Sequence, residues 1–388
     1  MCLKSIPLAV AHTLAAETDM QALQQRWYSA NGASMPKRME VVKDSFSADK
    51  AYRLACAGTA MLWQGDFQQA RQLLQALTRR ASTAPSDKTA SLAMPQAFHA
   101  HRMAQAQRAR ILSMLVLQIE GDYTIALRRA PDIRDALRSA WGEMTGQPRV
   151  LSLRELLAIV SAYEWQRKGM AVTALGEESF MLHPRYGVFS PMRSEYLDLI
   201  AKASLPFTEL VFDIGTGTGV IAALLLMRGV KQVVAIDNSE AALRCAQDNF
   251  QRWGLSSRVQ CVMGDVFPQG QAPLIVCNPP WLPGKATSLL EHAIYDPDSQ
   301  MLRRFLAGVS DHLTPGGEAW LVLSDLAEHL QLRSRQQLLQ WIDEGGLQVL
   351  GREDIRPRHP KALDLSDALH AARSQELTSL WRLGVRAA

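Results

Sequence analysis

The residues with the clearest potential for chemistry form a run in which an apolar stretch ends in an acid and continues into three glycines at alternating positions. Glycines at a turn between a strand and a helix let the backbone approach a ligand closely. A dinucleotide fingerprint, GxGxxG, needs its third glycine where this chain has Val220. The observed spacing suits a nucleoside with a charged amino-acid tail, because the acid can orient backbone groups or accept a hydrogen bond from an ammonium. The predicted ligand-binding residues of this run are Asp213, Ile214, Gly215, Thr216, Gly217 and Gly219.

Two further acids end the next two strand candidates: Asp237, followed by Asn238, and Asp265, followed by Val266. A carboxylate at the tip of the second strand is placed to accept hydrogen bonds from both ribose hydroxyls. One after the third strand can accept from the exocyclic amino group of an adenine. Each acid alone is more often a helix N-cap. Three acids at three successive strand ends together predict an adenosine-bearing cofactor, bound by these four residues and by the glycine run.

A fourth strand candidate runs into the sequence Asn278, Pro279, Pro280 and Trp281. Two prolines cannot continue a strand ladder or a helix, so the carbonyls of this turn stay free of secondary structure. The Asn278 side-chain oxygen and the Pro279 carbonyl can then accept hydrogen bonds from a planar NH2 group and direct its lone pair at an electrophile. Trp281 offers a flat face on which an amide or a base can stack. The alternative is a rigid loop with a buried tryptophan.

The elements that carry these residues alternate between strand and helix from residue 205 onwards. This alternation predicts an α/β fold with a parallel, doubly wound sheet of seven strands. The strand candidates are Leu210–Asp213, Gln232–Asp237, Arg258–Met263, Leu274–Cys277, Glu318–Leu323, Leu347–Glu353 and Leu377–Leu383.

The preceding part of the chain has a different pattern. From about residue 15 to 165, apolar residues recur at spacings of three and four, as in Leu73, Leu74 and Leu77, and no strand-like alternation competes with them. We therefore predict an all-helical N-terminal domain over residues 1–165 that recognises a substrate or partner. Residues 166–204 are predicted to be a connector with short extended segments, followed by the ligand-binding domain over residues 205–388.

With the acid–glycine run and the Asn-Pro-Pro-Trp turn about 60 residues apart, residues 180–385 resemble the class I S-adenosylmethionine-dependent methyltransferases. Within that class the chain looks most like the HemK-type enzymes, which methylate a release-factor glutamine, and the methyltransferase small domain enzymes, which act on ribosomal RNA adenine or guanine. The resemblance implies a Rossmann-like domain with S-adenosyl-L-methionine as cofactor. It also implies that residues 278–281 are catalytic, with Asn278 touching the cofactor as well. Two features depart from the HemK-like pattern: the N-terminal part is about twice as long, and Trp281 replaces the usual tyrosine.

Composition and charge limit the other function classes. The five cysteines contain no CxxC pair, so we expect neither a disulfide framework nor a metal site, and a cytoplasmic location. The longest apolar run, Val220–Met227, is far shorter than the ~20 residues that span a bilayer, so no membrane insertion is expected. Residues 1–150 hold 19 Lys and Arg against 12 Asp and Glu, whereas the remainder holds 23 against 26. The basic excess suits a phosphate backbone or an acidic protein face, or else solvated helix surfaces.

The predicted function is transfer of a methyl group to a planar nitrogen of a macromolecule. The acceptor is either an exocyclic amino group of a nucleobase in RNA or DNA, or a glutamine amide in a translation-related protein. A small-molecule amine is an alternative acceptor, and a catalytically idle binding module that keeps the fold is an alternative class. The presence of Asp213, Asp237, Asp265 and Asn278 argues against an idle module. A dinucleotide-dependent oxidoreductase is disfavoured by the glycine spacing and by the Asn-Pro-Pro-Trp turn.

Overall fold

The chain forms two compact units. A computed structural model describes residues 22–81, 92–176, 180–191, 194–358, 364–365 and 367–387. One unit comprises the described parts of residues 1–84 and 104–163, and the other those of residues 85–103 and 164–388. Within the described ranges, no helix combines the length and the apolar character that crossing a membrane requires.

The first unit contains a four-stranded sheet, so the prediction of an all-helical domain over residues 1–165 is wrong. Strand β1 (Arg38–Val42) pairs in parallel with β2 (Thr59–Trp63), β2 in parallel with β3 (Leu115–Ile119), and β3 antiparallel with β4 (Arg149–Ser152). Every residue of β2 is buried. A strand that is covered on both faces shows a continuous apolar run, and so short a run cannot be distinguished from part of a helix by its pattern.

Helices occupy much of the remaining chain up to residue 168, as the apolar spacing predicts. They are α1 (Ala48–Cys56), α2 (Phe67–Ala81), α3 (Met94–Leu112), α4 (Arg134–Trp141) and α5 (Leu153–Lys168). In α2 the residues Leu73, Leu74 and Leu77 are buried on one face, which confirms the helical interpretation of that segment. The first part of α3, up to residue 103, belongs to the second unit.

A cluster of charged groups stabilises the start of α2. The Asp66 side chain is fully buried and caps this helix by accepting from the backbone amides of Gln68 and Gln69 at 2.9 and 3.3 Å. Its Oδ2 also accepts from Nε of Arg129 at 2.6 Å and from Nε of Arg128 at 3.1 Å. These hydrogen bonds, that of Arg129 above all, hold the pKa of Asp66 well below its usual range.

We expect Asp66→Asn to lower the thermal midpoint of the protein by about 5 °C at neutral pH, because the amide loses the charge-assisted hydrogen bonds. The folded pKa lies below the unfolded one, so the stabilisation is complete above about pH 5 and is lost as the pH falls through the folded pKa. The difference in midpoint, measured by circular dichroism, should therefore shrink from about pH 5 to about pH 2. A constant difference over that range would exclude the ionised carboxylate as its source. Asp49→Asn, which changes an exposed partner of Arg80, is the matched control.

The second unit contains a seven-stranded sheet, and all seven strand predictions are confirmed. The strand order is β10-β11-β9-β8-β5-β6-β7, in which β11 is antiparallel to both neighbours and all other pairs are parallel. This is the Rossmann-like, doubly wound arrangement that the alternation of strand and helix predicts, but the sheet is not wholly parallel as predicted, because β11 runs antiparallel to its neighbours. The strands are β5 (Leu210–Ile214), β6 (Gln232–Asp237), β7 (Val259–Met263), β8 (Ala272–Cys277), β9 (Leu313–Ser324), β10 (Leu347–Ile355) and β11 (Thr378–Val385).

Two apolar clusters cover this sheet. Helices α6 (Glu195–Lys202), α7 (Val220–Met227) and α8 (Glu240–Arg252) contribute to one cluster, and α9 (Gln300–His312) and α11 (Arg335–Glu344) contribute to the other. The short helices α10 (Leu326–His329) and α12 (His370–Arg373) join the first part of α3 in a third, smaller cluster.

The segment predicted to be a connector, residues 166–204, contains more regular structure than the prediction allowed. An isolated antiparallel bridge joins Met170 to Leu182, as expected for short extended pieces. Helix α6, however, lies within the same segment and packs against β11. The apolar residues of α6 are recruited to the core of the sheet, which the prolines and glycines preceding it obscured.

Candidate functional site

Three loops that carry predicted site residues leave the sheet at the same edge. Ile214 of β5 pairs with Ile236 of β6 on one side and with Cys277 of β8 on the other. Because neighbouring strands lie about 4.8 Å apart, the glycine run, Asp237 and Asn278 begin side by side. Successive strands are added on opposite sides of β5, so β5 and β8 flank a switch point in the strand order. In open α/β sheets, ligands bind in the crevice at such a point.

The glycine run forms a tight turn between β5 and α7. Gly217 and Gly219 have φ angles of 56° and 82°, a left-handed conformation that favours glycine. A Cβ on Gly219 would lie 2.6 Å from the Phe250 ring, so glycine is also needed there for α8 to pack against the turn. The buried Asn249 side chain on α8 donates to the Thr218 carbonyl at 3.0 Å and holds the turn in place. A Cβ on Gly217 would meet no described atom closer than 4.0 Å beyond its chain neighbours, which leaves room for a ligand near this backbone.

Asp213 is fully buried near the end of β5. Its Oδ2 accepts a hydrogen bond from the Thr216 hydroxyl at 2.7 Å, whereas Oδ1 is buried and has no partner among the described residues. Burial raises the pKa of Asp213 to about 7. A buried polar atom without a partner is costly, and a bound donor would satisfy it, a cationic donor most of all. The residues present therefore fit the ammonium-bearing tail of an adenosine cofactor.

Asp237, at the end of β6, joins two turns of the candidate site. Its Oδ2 accepts from the Gly217 amide at 3.0 Å, and its Oδ1 accepts from the Ser239 amide at 2.9 Å. Burial raises the pKa of this carboxyl. Each oxygen keeps a second lone pair for a further donor, such as a ribose hydroxyl. The neighbouring Asn238, also predicted to bind the cofactor, is exposed.

The acid after β7 differs from the other two in being exposed and paired with a cation. Arg304 donates from Nη1 to Oδ1 of Asp265 at 3.1 Å and from Nη2 to Oδ2 at 2.8 Å. These hydrogen bonds lower the pKa of Asp265. The next residue, Val266, has a φ of 96°, a strained conformation for a β-branched side chain and one found mostly at functional sites. The contact of Asp265 with an adenine amino group stays a prediction, and Arg304 would have to share the carboxylate with it.

The Asn278–Trp281 turn follows β8 directly, with Pro279 buried and the other three residues half-buried. The indole Nε1 of Trp281 donates to Oδ1 of Asn278 at 2.8 Å. This bond orients the amide and leaves the second lone pair of its oxygen available. The Trp281 ring lies edge-on to the buried ring of Tyr196, with a centroid separation of 6.5 Å and an interplanar angle of 89°. Asn278 and Trp281 are therefore held by packing and by each other.

Sequence reasoning missed three residues that shape this edge of the sheet, Tyr196, Asn249 and Arg304. Each lies on a helix, where the apolar spacing indicates which face is buried but not which loop that face meets. The sequence does contain one indication for Asn249, because it is a polar residue beside Phe250 on the buried face of α8. An amide on an apolar face requires a hydrogen-bond partner, which here is the backbone of the glycine turn.

Part of the chain is similar to known proteins, and the family match with defined bounds lies within the second unit. Residues 182–340 match the family described as methyltransferase small domain. The chain is 31% identical over 156 residues to a release factor glutamine methyltransferase of Thermosynechococcus vestitus. The aligned region covers 35% of this chain and 53% of that protein. The chain is also 32% identical over 144 residues to a tRNA1(Val) (adenine(37)-N6)-methyltransferase of Bacteroides thetaiotaomicron. This aligned region covers 34% of this chain and 59% of that protein. A ribosomal RNA small subunit methyltransferase C of Alcanivorax borkumensis is 32% identical over 136 residues, with 32% of this chain and 38% of that protein covered. The chain thus spans about half the length of the curated relatives it matches.

Proposed function

We propose that this chain, whose residues 182–340 belong to the methyltransferase small domain group of the class I S-adenosylmethionine-dependent methyltransferases, transfers a methyl group to a planar nitrogen. The observation that carries the proposal is the pairing of Ile214 with Cys277, which sets the glycine turn beside Asn278. A cofactor held at one loop and an amino group held at the next is the arrangement that direct transfer requires.

The cofactor side of the proposed site is built from the three acids and the glycine turn. S-adenosylmethionine, when bound, supplies a methyl group on a positively charged sulfur. The Oδ1 atom of Asp213 would accept from the ammonium of its tail, and the Asp237 carboxylate would accept from the ribose hydroxyls. Asp265 and Val266 would contact the adenine. We propose that the remaining contacts with the cofactor are made by Ile214, Gly215, Thr216, Gly217, Gly219 and Asn238.

The acceptor side is built from the turn after β8. The Asn278 Oδ1 atom and the Pro279 carbonyl would accept the two hydrogens of a planar NH2 group and direct its nitrogen towards the glycine turn. The same two oxygens would stabilise the positive charge that develops on the nitrogen as it is methylated. Pro280 keeps the turn rigid, and Trp281 orients the amide and packs beside the acceptor. The surplus proton can leave to water afterwards, so no strong base is needed.

We expect the affinity for S-adenosylmethionine to increase about tenfold from about pH 6 to about pH 8, because Asp213 has a pKa of about 7 and its ionised form attracts an ammonium. Binding a cation favours the ionised carboxylate, so affinity is low below this pKa and constant above it. Isothermal titration calorimetry at constant ionic strength gives the dissociation constant at each pH. Asp213→Asn, which cannot ionise, should show a flat profile. Equal affinities across the range in the unaltered protein would assign Asp213 to orienting backbone groups instead.

We propose a macromolecular acceptor, either a nucleobase amino group in RNA or DNA or a glutamine amide in a translation-related protein. The relatives named above support this class, since their names specify a release factor, a transfer RNA and a ribosomal RNA. The excess of 19 Lys and Arg over 12 Asp and Glu in residues 1–150 supports it as well, because a small amine would not require a basic surface.

Radiolabelled S-adenosylmethionine and a lysate of cells that lack this protein test the proposal. After incubation with the full chain, the lysate is separated into RNA, DNA, protein and small-molecule fractions. Label in RNA or DNA would support a nucleobase acceptor, and label in one protein band would support a glutamine acceptor. Label confined to small molecules would overturn the macromolecular acceptor. Absence of label from every fraction, together with measurable cofactor binding, would overturn the enzymatic function in favour of a binding module.

We also propose a cytoplasmic location. The described cysteines, Cys56, Cys245, Cys261 and Cys277, are all free thiols, which is their usual state in a reducing compartment. Immunodetection of the protein in cytoplasmic, periplasmic and membrane fractions of the cells that make it tests this proposal.

A further inference from the structure

The loop that follows Trp281 is closed at its base. The Leu282 amide donates to the Ile294 carbonyl at 3.0 Å, and the Asp296 amide donates to the Leu282 carbonyl at 2.9 Å. Residues 282–296 therefore leave the sheet edge next to the Asn278–Trp281 turn and return to the same place. We name this segment the acceptor loop, because it borders the turn that would hold the acceptor nitrogen.

One carboxylate and one guanidinium tie the distal part of the acceptor loop. Glu291 Oε2 accepts from the backbone amide and the hydroxyl of Thr287 at 2.8 and 2.7 Å. The same carboxylate forms a two-point ion pair with Arg102, whose Nη1 and Nη2 donate to Oε1 and Oε2 at 2.9 Å each. Arg102 Nη2 also donates to the Lys285 carbonyl at 2.9 Å, and the guanidinium lies 3.9 Å from the centroid of the Tyr295 ring. Arg102 thus contacts the loop at three separate points.

Arg102 lies on the first part of α3, which is remote from the acceptor loop in sequence but belongs to the same compact unit. Phe98, one turn earlier on the same face of α3, is buried and shares an apolar cluster with Leu282. Its ring centroid is 6.4 Å from that of Tyr295. The side chains of Arg102 and Glu291 are only 12% and 23% exposed, so solvent screens their attraction weakly. The ion pair is therefore part of a packed contact rather than an isolated surface pair.

We propose that Arg102 and Glu291 are positioning residues for methyl transfer, which hold the acceptor loop in the conformation that receives the planar NH2 group beside Asn278. The inference rests on the proposed function and assigns part of its acceptor side to α3. None of the contacts described for this pair involves Asp213 or Asp237. Affinity for the cofactor should therefore be independent of the pair, whereas use of the acceptor should depend on it.

Arg102→Ala in the full chain tests the proposal. We expect kcat/KM for the acceptor to fall about thirtyfold, mainly through KM, because truncation leaves a poorly solvated carboxylate unpaired and loosens the loop. The dissociation constant for S-adenosylmethionine should stay within about twofold of its original value. Rates are measured as radiolabelled methyl incorporation against the concentration of whichever lysate fraction the unaltered enzyme labels. Arg102→Lys keeps the charge but not the two-point geometry. Its kcat/KM should lie between those of Arg102→Ala and the unaltered enzyme.

Hydrogen exchange of the acceptor loop gives a second measurement that does not depend on turnover. Peptides covering residues 282–296 should exchange at least about tenfold faster in Arg102→Ala, with peptides covering residues 210–219 unchanged. Lys231→Ala is the matched control, because it removes an ion pair of 2.7 Å between exposed side chains of the same unit, Lys231 and Glu209. Lys231→Ala should change neither kcat/KM for the acceptor nor hydrogen exchange of the acceptor loop.

Several results would overturn the inference. Unchanged exchange in the loop of Arg102→Ala would show that the pair does not hold it. Equal losses of cofactor affinity and acceptor turnover in Arg102→Ala would show a general loss of structure. If Arg102→Ala does not fold, Glu291→Gln and Arg102→Lys are used to repeat the test. If the unaltered enzyme labels no fraction, the proposed function fails, and exchange in the loop alone decides whether the pair holds it.

Discussion

Asn278→Ala should lower kcat for methyl transfer by at least about a hundredfold, equivalent to about 2.7 kcal/mol in the barrier. The dissociation constant for S-adenosylmethionine should stay within about twofold of its original value. The reason is that the Asn278 oxygen would both orient the acceptor nitrogen and stabilise the charge that forms on it, and both effects are greatest in the transition state. Initial rates of radiolabel transfer at saturating cofactor, with calorimetry for cofactor binding, measure the two quantities separately. A variant that keeps more than about a tenth of the original rate would contradict the role given to Asn278.

Trp281→Phe separates the orienting role of the indole from its packing role. Phenylalanine can still pack beside Tyr196, but it lacks the Nε1–H group that donates to Asn278 at 2.8 Å. We expect a reduction of kcat of about tenfold, which is smaller than that of Asn278→Ala because the acceptor oxygen remains but is less well oriented. Leu339→Ala, at an exposed apolar position on α11, is a control for a change of hydrophobic surface elsewhere in the same unit. Equal rates for Trp281→Phe and the unaltered enzyme would show that the indole N–H is dispensable.

Asp237→Ala should raise the dissociation constant for S-adenosylmethionine by at least about a hundredfold. The carboxylate would accept two hydrogen bonds from the ribose, and bonds to a charged group contribute about 1.5–3 kcal/mol each. The change also removes the acceptor of the Gly217 amide at 3.0 Å, so the glycine turn loses one of its supports. Calorimetry measures the affinity, and kcat at saturating cofactor should change much less, because the acceptor side of the site is intact.

Glu240→Ala provides the control for Asp237→Ala. Glu240 begins the helix that follows Asp237, and its contact with Arg244 at 3.2 Å lies between exposed side chains. Removing it changes the local charge by the same amount without touching the glycine turn, and cofactor affinity should be unchanged. An increase in the dissociation constant of less than about threefold in Asp237→Ala would contradict the ribose contact, since one charged hydrogen bond alone is worth more.

The sequence alone was sufficient to predict the seven strands of the second unit and the edge where the candidate site lies. The reason is that buried parallel strands need continuous apolar segments, and the connections between them need polar residues and glycines at the strand ends. Asp213, Asp237 and Asn278 each stand at such a strand end. Glycine spacing and paired prolines restrict the backbone directly, so their effect is local and can be predicted without knowledge of the fold.

Only the tertiary structure decided how distant segments meet. Strand β2 of the first unit is buried throughout and β3 and β4 are mostly buried, so their apolar runs matched those of helices, and the pairing partners that distinguish the two are remote in sequence. Arg102 and Glu291 are 189 residues apart, and Asp265 and Arg304 are 39 residues apart. A pattern of apolar residues states which side of an element is buried, but the identity of the element that covers it depends on packing of the whole chain. The tertiary structure also decides the orientation of the Asn278 amide and the shape of the acceptor loop, because each is set by side chains that become neighbours only when the sheet has formed.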